Sequence, residues 1–391
     1  SGLRILKTRE KEVIKKKSGK FFSGNRSWIY EKILSVVKSK EPEIIVDAEV
    51  EVQNEETEKK ENISVNLTIL PLINEDSDGR TDQADNFLGI LLMFEDISSE
   101  KRMKSTMSRY MDPGIADQLL EDGSDIMGGL DTTATLLFSD LRSFTSITES
   151  LGAQGTVKLL NEYFEIMVEC ITEQGGMLDK FIGDAIMAAF GLPISHEDDE
   201  DRGVKAGINM ITRLWQWNER REKDGKPSVD MGLGLNTDKI VAGNIGSQKR
   251  MDYTMIGDGV NLAARLESAC KQYSARILIS DYTFKKLKGT YRIRYIDDVV
   301  VKGKVEPVGV HEVLDYHTDK TFPNLMDVVN FFNEGRKYYK VGEFQKAISS
   351  FKECLKSNPY DNLSKTYIDR CNLMIEEKPR DWDGIWVMKS K

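Results

Sequence analysis

The sequence predicts an α+β protein built in three parts, and three observations predict it. At 391 residues the chain is too long for one ordinary core. Its middle third shows signals in the order strand, helix, paired strands, helix, strand, the order of helices laid over an open sheet. Alternating apolar and polar residues ahead of that region mark a small antiparallel sheet, and helical spacing after it marks an α-helical end. The expected boundaries are a sheet-bearing segment at 1–98, a helical linker at 99–130, the central domain at 131–316, a helical repeat with a capping helix at 325–378 and a tail at 379–391.

Composition narrows the function classes. The formal net charge is −9, from 55 Lys and Arg against 64 Asp and Glu. That balance argues against a general nucleic-acid binder, and a polyanionic ligand would need local Lys and Arg to override the overall field. With 40% hydrophobic and 30% charged residues, the chain is not collagenous, fully disordered or a membrane bundle. Its longest nearly pure apolar stretch, Phe87 to Phe94, is far short of the roughly 20 residues that a spanning helix needs. Cys170, Cys270, Cys354 and Cys371 lie far apart, form no CxxC and accompany only three histidines. A zinc cluster or disulfide framework is therefore not expected, and a reducing, cytoplasmic compartment is. No signal peptide is visible and the first residue is Ser1, so the sequence reads as a piece of a longer protein.

Taken in order, residues 1–40 are basic and helical in places, and Ile44–Val52, Ile63–Leu70 and Phe87–Ile97 read as three strands joined by polar turns. Ile97, Met103, Met107 and Tyr110 recur at the spacing of a helix seam. Asp112-Pro113 restarts a helix as N-cap and first helical residue, and Gly128-Gly129 closes that segment. Ala134–Phe138 suits a buried strand, and Val157, Leu160, Phe164, Val168 and Ile171 mark one face of a helix. Met177–Phe181 and Ala185–Phe190 flank a hairpin turn at Ile182-Gly183-Asp184. Val204, Ile208, Ile211 and Trp215 mark a second helix, Val229–Leu235 a strand, and Leu262, Leu266 and Ala269 a third helix. Strand-like runs follow at Arg276–Ser280 and Asp298–Val301. From about 325, Phe331, Gly335, Tyr338, Gly342, Ala347, Phe351 and Pro359 fit the spacing of one tetratricopeptide repeat. A single copy does not bury its own apolar face, so a helix at about 362–376 is expected to cap it.

Two aspartates stand out by context. Asp140 ends a buried strand in Phe138-Ser-Asp-Leu-Arg-Ser-Phe-Thr145, and Asp184 sits in the tight turn of Lys180-Phe-Ile-Gly-Asp184. A carboxylate just past a strand end and another at a hairpin tip converge on one point, and without His or Cys nearby they favour Mg²⁺ or Mn²⁺. Read singly, Asp140 is an N-cap and Asp184 a turn former. In Tyr253-Thr-Met-Ile-Gly-Asp-Gly-Val-Asn-Leu-Ala-Ala-Arg265, Asn261 and Arg265 share the helix face opposite Leu262 and Leu266. An amide beside a guanidinium suits a phosphate oxygen, since both donate hydrogen bonds. The plain alternative is a solvated helix face.

Together these segments, with the later Val-Lys-Gly-Lys at 301–304, resemble the catalytic domain of class III adenylyl and guanylyl cyclases over residues 131–316. The resemblance implies a ferredoxin-like α+β catalytic domain. It also implies that Asp140 and Asp184 hold two Mg²⁺ or Mn²⁺ ions. Main-chain N–H groups near Phe144 and Thr145 would meet phosphate at a helix start. Ser143 stands where many members have glycine. Lys180 and Thr254 match the purine-selecting pair, a donor for adenine N1 and an acceptor for its 6-amino group, which implies ATP as substrate. Asn261 would orient the ribose and Arg265 would stabilise charge on the α-phosphate. Lys302 would meet the outer phosphates, as would Lys249 or Arg250, for which solvated surface is an equal alternative. The site is expected between two copies in a head-to-tail homodimer.

Residues 1–98 resemble the later part of a PAS sensor domain, through Ser64–Leu72 and Gly89–Ser98. They contain no His or Cys, which excludes a haem-ligating His or a flavin-bonding Cys there. A dimerisation domain without ligand is the plainer reading of that segment. The tetratricopeptide-like end is expected to bind a protein partner or to pack, with Trp382 and Trp386 against it. A guanylyl cyclase and a non-catalytic PAS and repeat scaffold are the competing functions.

Overall fold

The computed structural model describes residues 2–53, 60–74, 87–99, 101, 128–247, 250–299, 307–377, 382 and 384. The chain divides into two units, Ser1–Ala116 and Asp117–Lys391. Almost all of the expected linker lies outside the described residues, as do Trp386 and most of the tail.

In the first unit, strands β1 (Glu43–Gln53), β2 (Lys60–Ile73) and β3 (Phe87–Asp96) form an antiparallel sheet in that order. On β2, Ile63, Val65, Leu67 and Ile69 are buried and alternate with polar residues, as a one-sided sheet requires. Helix α1 (Ser27–Ser39) covers that face with Ile29, Ile33 and Val36.

The second unit is built on an eight-stranded sheet. Its strands are β4 (Gly128–Leu141), β5 (Met177–Ile182), β6 (Ala185–Phe190), β7 (Met231–Ser247), β8 (Arg250–Ile256), β9 (Ile277–Ser280), β10 (Ile293–Val299) and β11 (Val308–Val313). The order is β10-β11-β9-β7-β4-β6-β5, with β8 paired to β7. The core β7-β4-β6-β5 is antiparallel and connects as βαββαβ, the ferredoxin-like arrangement. Helices α2 (Phe144–Glu173) and α3 (Asp199–Lys223) cover one face, packing Tyr163, Met167, Ile211 and Leu214 against Leu137, Leu233 and Leu235. Within α2, Gly152 (φ 66°, ψ 176°) leaves the helical region and breaks the helix.

Helix α4 (Asp258–Tyr273) lies on the other face, and its seat is glycine. Along β7, Leu233 and Leu235 point to α2 and α3, while Gly232 and Gly234 face α4. A Cβ at Gly234 would stand 2.3 Å from both the Ala263 carbonyl oxygen and the Glu267 nitrogen. Leu262, Leu266, Ala269 and Tyr273 complete the contact.

The last helices, α5 (Leu325–Lys340), α6 (Phe344–Ser357) and α7 (Asn362–Glu377), do not form a separate body. Phe332, Phe351 and Tyr367 share one hydrophobic core with α4 and with β9 to β11. Gly335 lets α5 and α6 cross closely, since a Cβ there would stand 2.6 Å from the Phe351 ring. Trp382 packs edge-on against Tyr339 and Phe344, and its Nε1–H donates to the Tyr339 carbonyl at 2.9 Å.

Three expectations are corrected. Gly128-Gly129 opens β4 instead of closing the preceding segment, because both residues pair with Asn244 and Gly243 on β7. Strand β7 runs to Ser247, well past Leu235, and its far half serves as the template for β4 and β8. Of the strand expected at 298–301, residues 298 and 299 end β10, which begins at Ile293, while 300 and 301 lie outside the described residues; β11 was missed because it buries His311 and Glu312 among Val308, Val310 and Val313, which blurs its alternation.

Gly234→Ala is expected to lift α4 off the sheet and to cost about 3 kcal/mol, the upper end for overpacking. Chemical denaturation of the variant beside the parent measures this, and an unchanged midpoint would refute the tight seat.

Candidate active site

Asp140 sits near the end of β4, in register with Gly232 on β7, on the sheet face that carries α4. Asp184 follows Gly183 in the turn between β5 and β6, and Gly183 supplies the positive φ (67°) that the turn needs. The pairing of Ser139 with Ile186 places that turn beside the end of β4. The two carboxyl groups lie within hydrogen-bonding reach of each other. Asp140 is pushed up to about 6, by burial first and then by the negative charge and hydrogen bond of Asp184. Two acids crowded together in this way, with hard oxygen donors and no soft ligand, fit a divalent cation such as Mg²⁺ or Mn²⁺. Among the described residues no further His, Cys, Asp or Glu joins them in a metal-holding set of three or more.

A third carboxyl stands nearby. Glu267 on α4 occupies the space above Gly232, its Oε1 3.0 Å from where a Cβ would be. Glu267 is pushed up to about 7, chiefly by burial and then by Asp140. The helical pattern places position 267 at the rim of the buried stripe, and nothing in it reveals the empty space that admits the side chain.

Helix α2 starts at Phe144, four residues after Asp140, so the helix start expected at Phe144 and Thr145 is present. Phe144 is half-buried against the α2 core, and Thr145 is exposed. Ser143 precedes them in the left-handed conformation (φ 56°, ψ 30°), a region that glycine enters without the steric cost a Cβ brings.

Lys180 and Thr254 meet directly. The Lys180 Nζ donates to Thr254 Oγ1 at 3.1 Å, across β5 and β8. Thr254 in turn donates to Asp179 Oδ2 at 3.5 Å, and Lys180 Nζ lies 3.5 Å from the same oxygen. Neighbouring strand residues normally point to opposite faces. Here a register shift between Leu178 and Lys180 makes Asp179 the extra residue of a β-bulge, so both side chains reach Thr254. The Asp179 side chain is buried, and burial raises its carboxyl while Lys180 opposes the rise. Sequence reasoning missed Asp179 because a bulge leaves no periodic trace.

Asn261 and Arg265 both lie on the exposed face of α4, opposite buried Leu262 and Leu266. Arg250 opens β8 opposite Ser247, and only its backbone is described. Lys249 and Lys302 lie outside the described residues. No helix among the described residues is long and apolar enough to cross a membrane.

The chain was compared with known proteins. A family model for the adenylate and guanylate cyclase catalytic domain matches residues 130–317. The terminal-differentiation-specific adenylate cyclase of Dictyostelium discoideum is 38% identical over 242 residues, 61% of this chain and 11% of that protein. The chain thus spans only a small part of that curated relative's length. The crystal structure of the adenylyl cyclase CyaB from P. aeruginosa is 35% identical, covering 49% of this chain and 99% of that one with a TM-score of 0.46. The structure of the guanylyl cyclase Cya2 is 40% identical, covering 48% and 94% with a TM-score of 0.44.

The raised Asp140 sets a pH dependence. A carboxyl whose folded value lies above its ordinary 3.8 contributes stability below that value and loses it as pH rises through about 6. A divalent cation competes with the same protons. The rise in Tm on adding Mn²⁺ is therefore expected to be larger at about pH 7.5 than at about pH 5, and to vanish in Asp184→Asn. Equal shifts at both values in a melting assay would contradict the metal assignment.

Proposed function

We propose, from the premise that residues 130–317 belong to the adenylate and guanylate cyclase catalytic-domain family, that the protein is an adenylyl cyclase. It converts ATP to 3′,5′-cyclic AMP and pyrophosphate. The observation that carries the choice of base is the Lys180–Thr254 contact, with Asp179 behind it. The Thr254 hydroxyl hydrogen is directed to Asp179, so the oxygen keeps a lone pair for the 6-amino group of adenine. The Lys180 ammonium only donates, which suits adenine N1. Guanine would set its N1–H against the ammonium and its carbonyl against the lone pair, a mismatch that a buried site penalises strongly.

Asp140 and Asp184 hold the divalent cations. Bound there, two such ions supply charge neutralisation for the triphosphate and acidify the ribose 3′-hydroxyl. Asn261 orients the ribose, and Arg265 offsets the charge that grows on the α-phosphate as the 3′-oxygen bonds to phosphorus and pyrophosphate leaves. The hydroxyl proton passes to water. Amides at the start of α2, near Phe144 and Thr145, take phosphate oxygens, and Lys302, with Lys249 or Arg250, faces the outer phosphates. A head-to-tail homodimer supplies the acidic pair from one copy and Asn261, Arg265, Lys180 and Thr254 from the other. The first unit acts as a sensor segment upstream of this dimer.

Purified protein with Mn²⁺ is expected to form cyclic AMP, with Asp140→Ala roughly 10³-fold slower. Mixing Asp184→Ala with Arg265→Ala, each left with only residual turnover, should raise activity well above either alone, because one of the two sites in a mixed dimer is intact. No rescue despite demonstrated mixed dimers would refute the shared site. Lys180→Glu with Thr254→Cys should exchange the preference for ATP over GTP, and an unchanged preference in paired assays would remove these residues from base selection.

A further inference from the structure

The boundary of the family match cuts through a buried charge cluster. Asp297 on β10 is fully buried. Its Oδ2 accepts from the Tyr273 hydroxyl at 3.0 Å and from Arg370 Nη1 at 2.8 Å, and Arg336 Nη1 lies 3.4 Å from its Oδ1. Tyr273 is the last residue of α4, whereas Arg336 is on α5 and Arg370 on α7. Both guanidinium partners thus lie beyond residue 317, where the family match ends. A second tie runs in parallel, since Arg294 on β10 pairs with Glu312 on β11 at 2.7 Å and with Asp361 before α7 at 2.9 Å. All three of its side chains are buried.

A β-bulge aims the first cluster. The register of β10 against β11 shifts between Tyr295 and Asp297, leaving Ile296 as the extra residue. The Ile296 carbonyl accepts from the Tyr367 hydroxyl of α7 at 2.7 Å. The bulge therefore hands a carbonyl to α7 and a carboxylate to α4, α5 and α7 together.

Helix α4 is thereby held at both ends. Asn236 Nδ2 donates to the Gly259 carbonyl in its first turn at 2.9 Å, and Tyr273 donates to Asp297 at its last residue. Asn261 and Arg265 project from the span between these anchors. Tyr273 is two helical turns from Arg265, so a shift at the Tyr273 end passes along a rigid rod to the guanidinium. A buried ion cluster of this kind adds little net stability compared with an apolar replacement, and what it adds is direction.

We propose that Asp297 is a positioning residue for Arg265, and that α5–α7 belong to the catalytic unit because they hold Asp297 in place. This rests on the cyclase reading. Tyr273 carries the coupling, and the C-terminal helices set how α4 sits over the sheet.

The test uses the full chain. Tyr273→Phe deletes one hydroxyl and leaves the ring in the core. It is expected to lower kcat for cyclic AMP formation roughly tenfold with KM for ATP little changed, as a small misplacement of a transition-state group does. In an Arg265→Ala background the same change should have no further effect, because the group it positions is gone. Amide hydrogen exchange over residues 258–266 should rise. An equal loss in the Arg265→Ala background, or a lowered Tm with kcat unchanged, would overturn the proposal. If Tyr273→Phe fails to fold, Arg370→Lys is read by the same measures, since it keeps the charge and loses the fork. Wild-type protein that forms no cyclic nucleotide from ATP or GTP would sink the cyclase reading itself. Exchange over 258–266 then decides the tie alone, and unchanged exchange in the variant overturns it.

Discussion

The contact on which the rest depends is the seating of α4 directly on the backbone of β7. Without side chains at Gly232 and Gly234, the helix comes as near to the sheet as main chain allows. That depth decides the other positions. Leu262 and Leu266 face inward and Asn261 and Arg265 outward. Glu267 drops into the gap above Gly232, beside Asp140. The same closeness removes water from the acidic group, which is why burial leads the causes that raise both Asp140 and Glu267. A site that raises its own acids in this way is built to receive positive charge.

What the sequence revealed depended on whether a residue's role was local. Asp184 was legible because a glycine and an aspartate between two apolar runs specify a tight turn, and Gly183 has the positive φ that such a turn uses. Asn261 and Arg265 were legible because four-residue spacing fixes a shared helix face. Asp179, Glu267 and Asp297 were not, since each owes its place to a tertiary feature. For Asp179 and Asp297 that feature is a β-bulge, which breaks the alternation by which strands are read. Strand β11 escaped for a related reason: its inward side chains include an ionised pair partner, so burial and polarity do not separate there.

The charge distribution bears on the expected dimer. Within one chain the charge of Asp184 raises Asp140 and that of Asp140 raises Glu267, while the Lys180 ammonium already has Asp179 and Thr254 as partners. Neither group neutralises the other. On the cyclase reading, ATP with its metal ions supplies what both lack, anchored by its phosphates at the acidic end and by its base at Lys180 and Thr254. Binding then serves as the glue of the assembly, and local cations serve a chain whose overall charge is −9.

The C-terminal helices make a different kind of connection. The apolar face of α5–α7 is covered by α4 together with the end of the sheet. Apolar packing alone would tolerate sliding, because it has no preferred direction. The Asp297 and Arg294 clusters remove that freedom, since buried ions left without partners are heavily penalised. Any force that pulls α5 or α7 away must therefore either break these clusters or carry β10 and α4 along. Both routes reach the helix that bears Arg265, so its placement is set by residues that the catalytic-domain match does not contain.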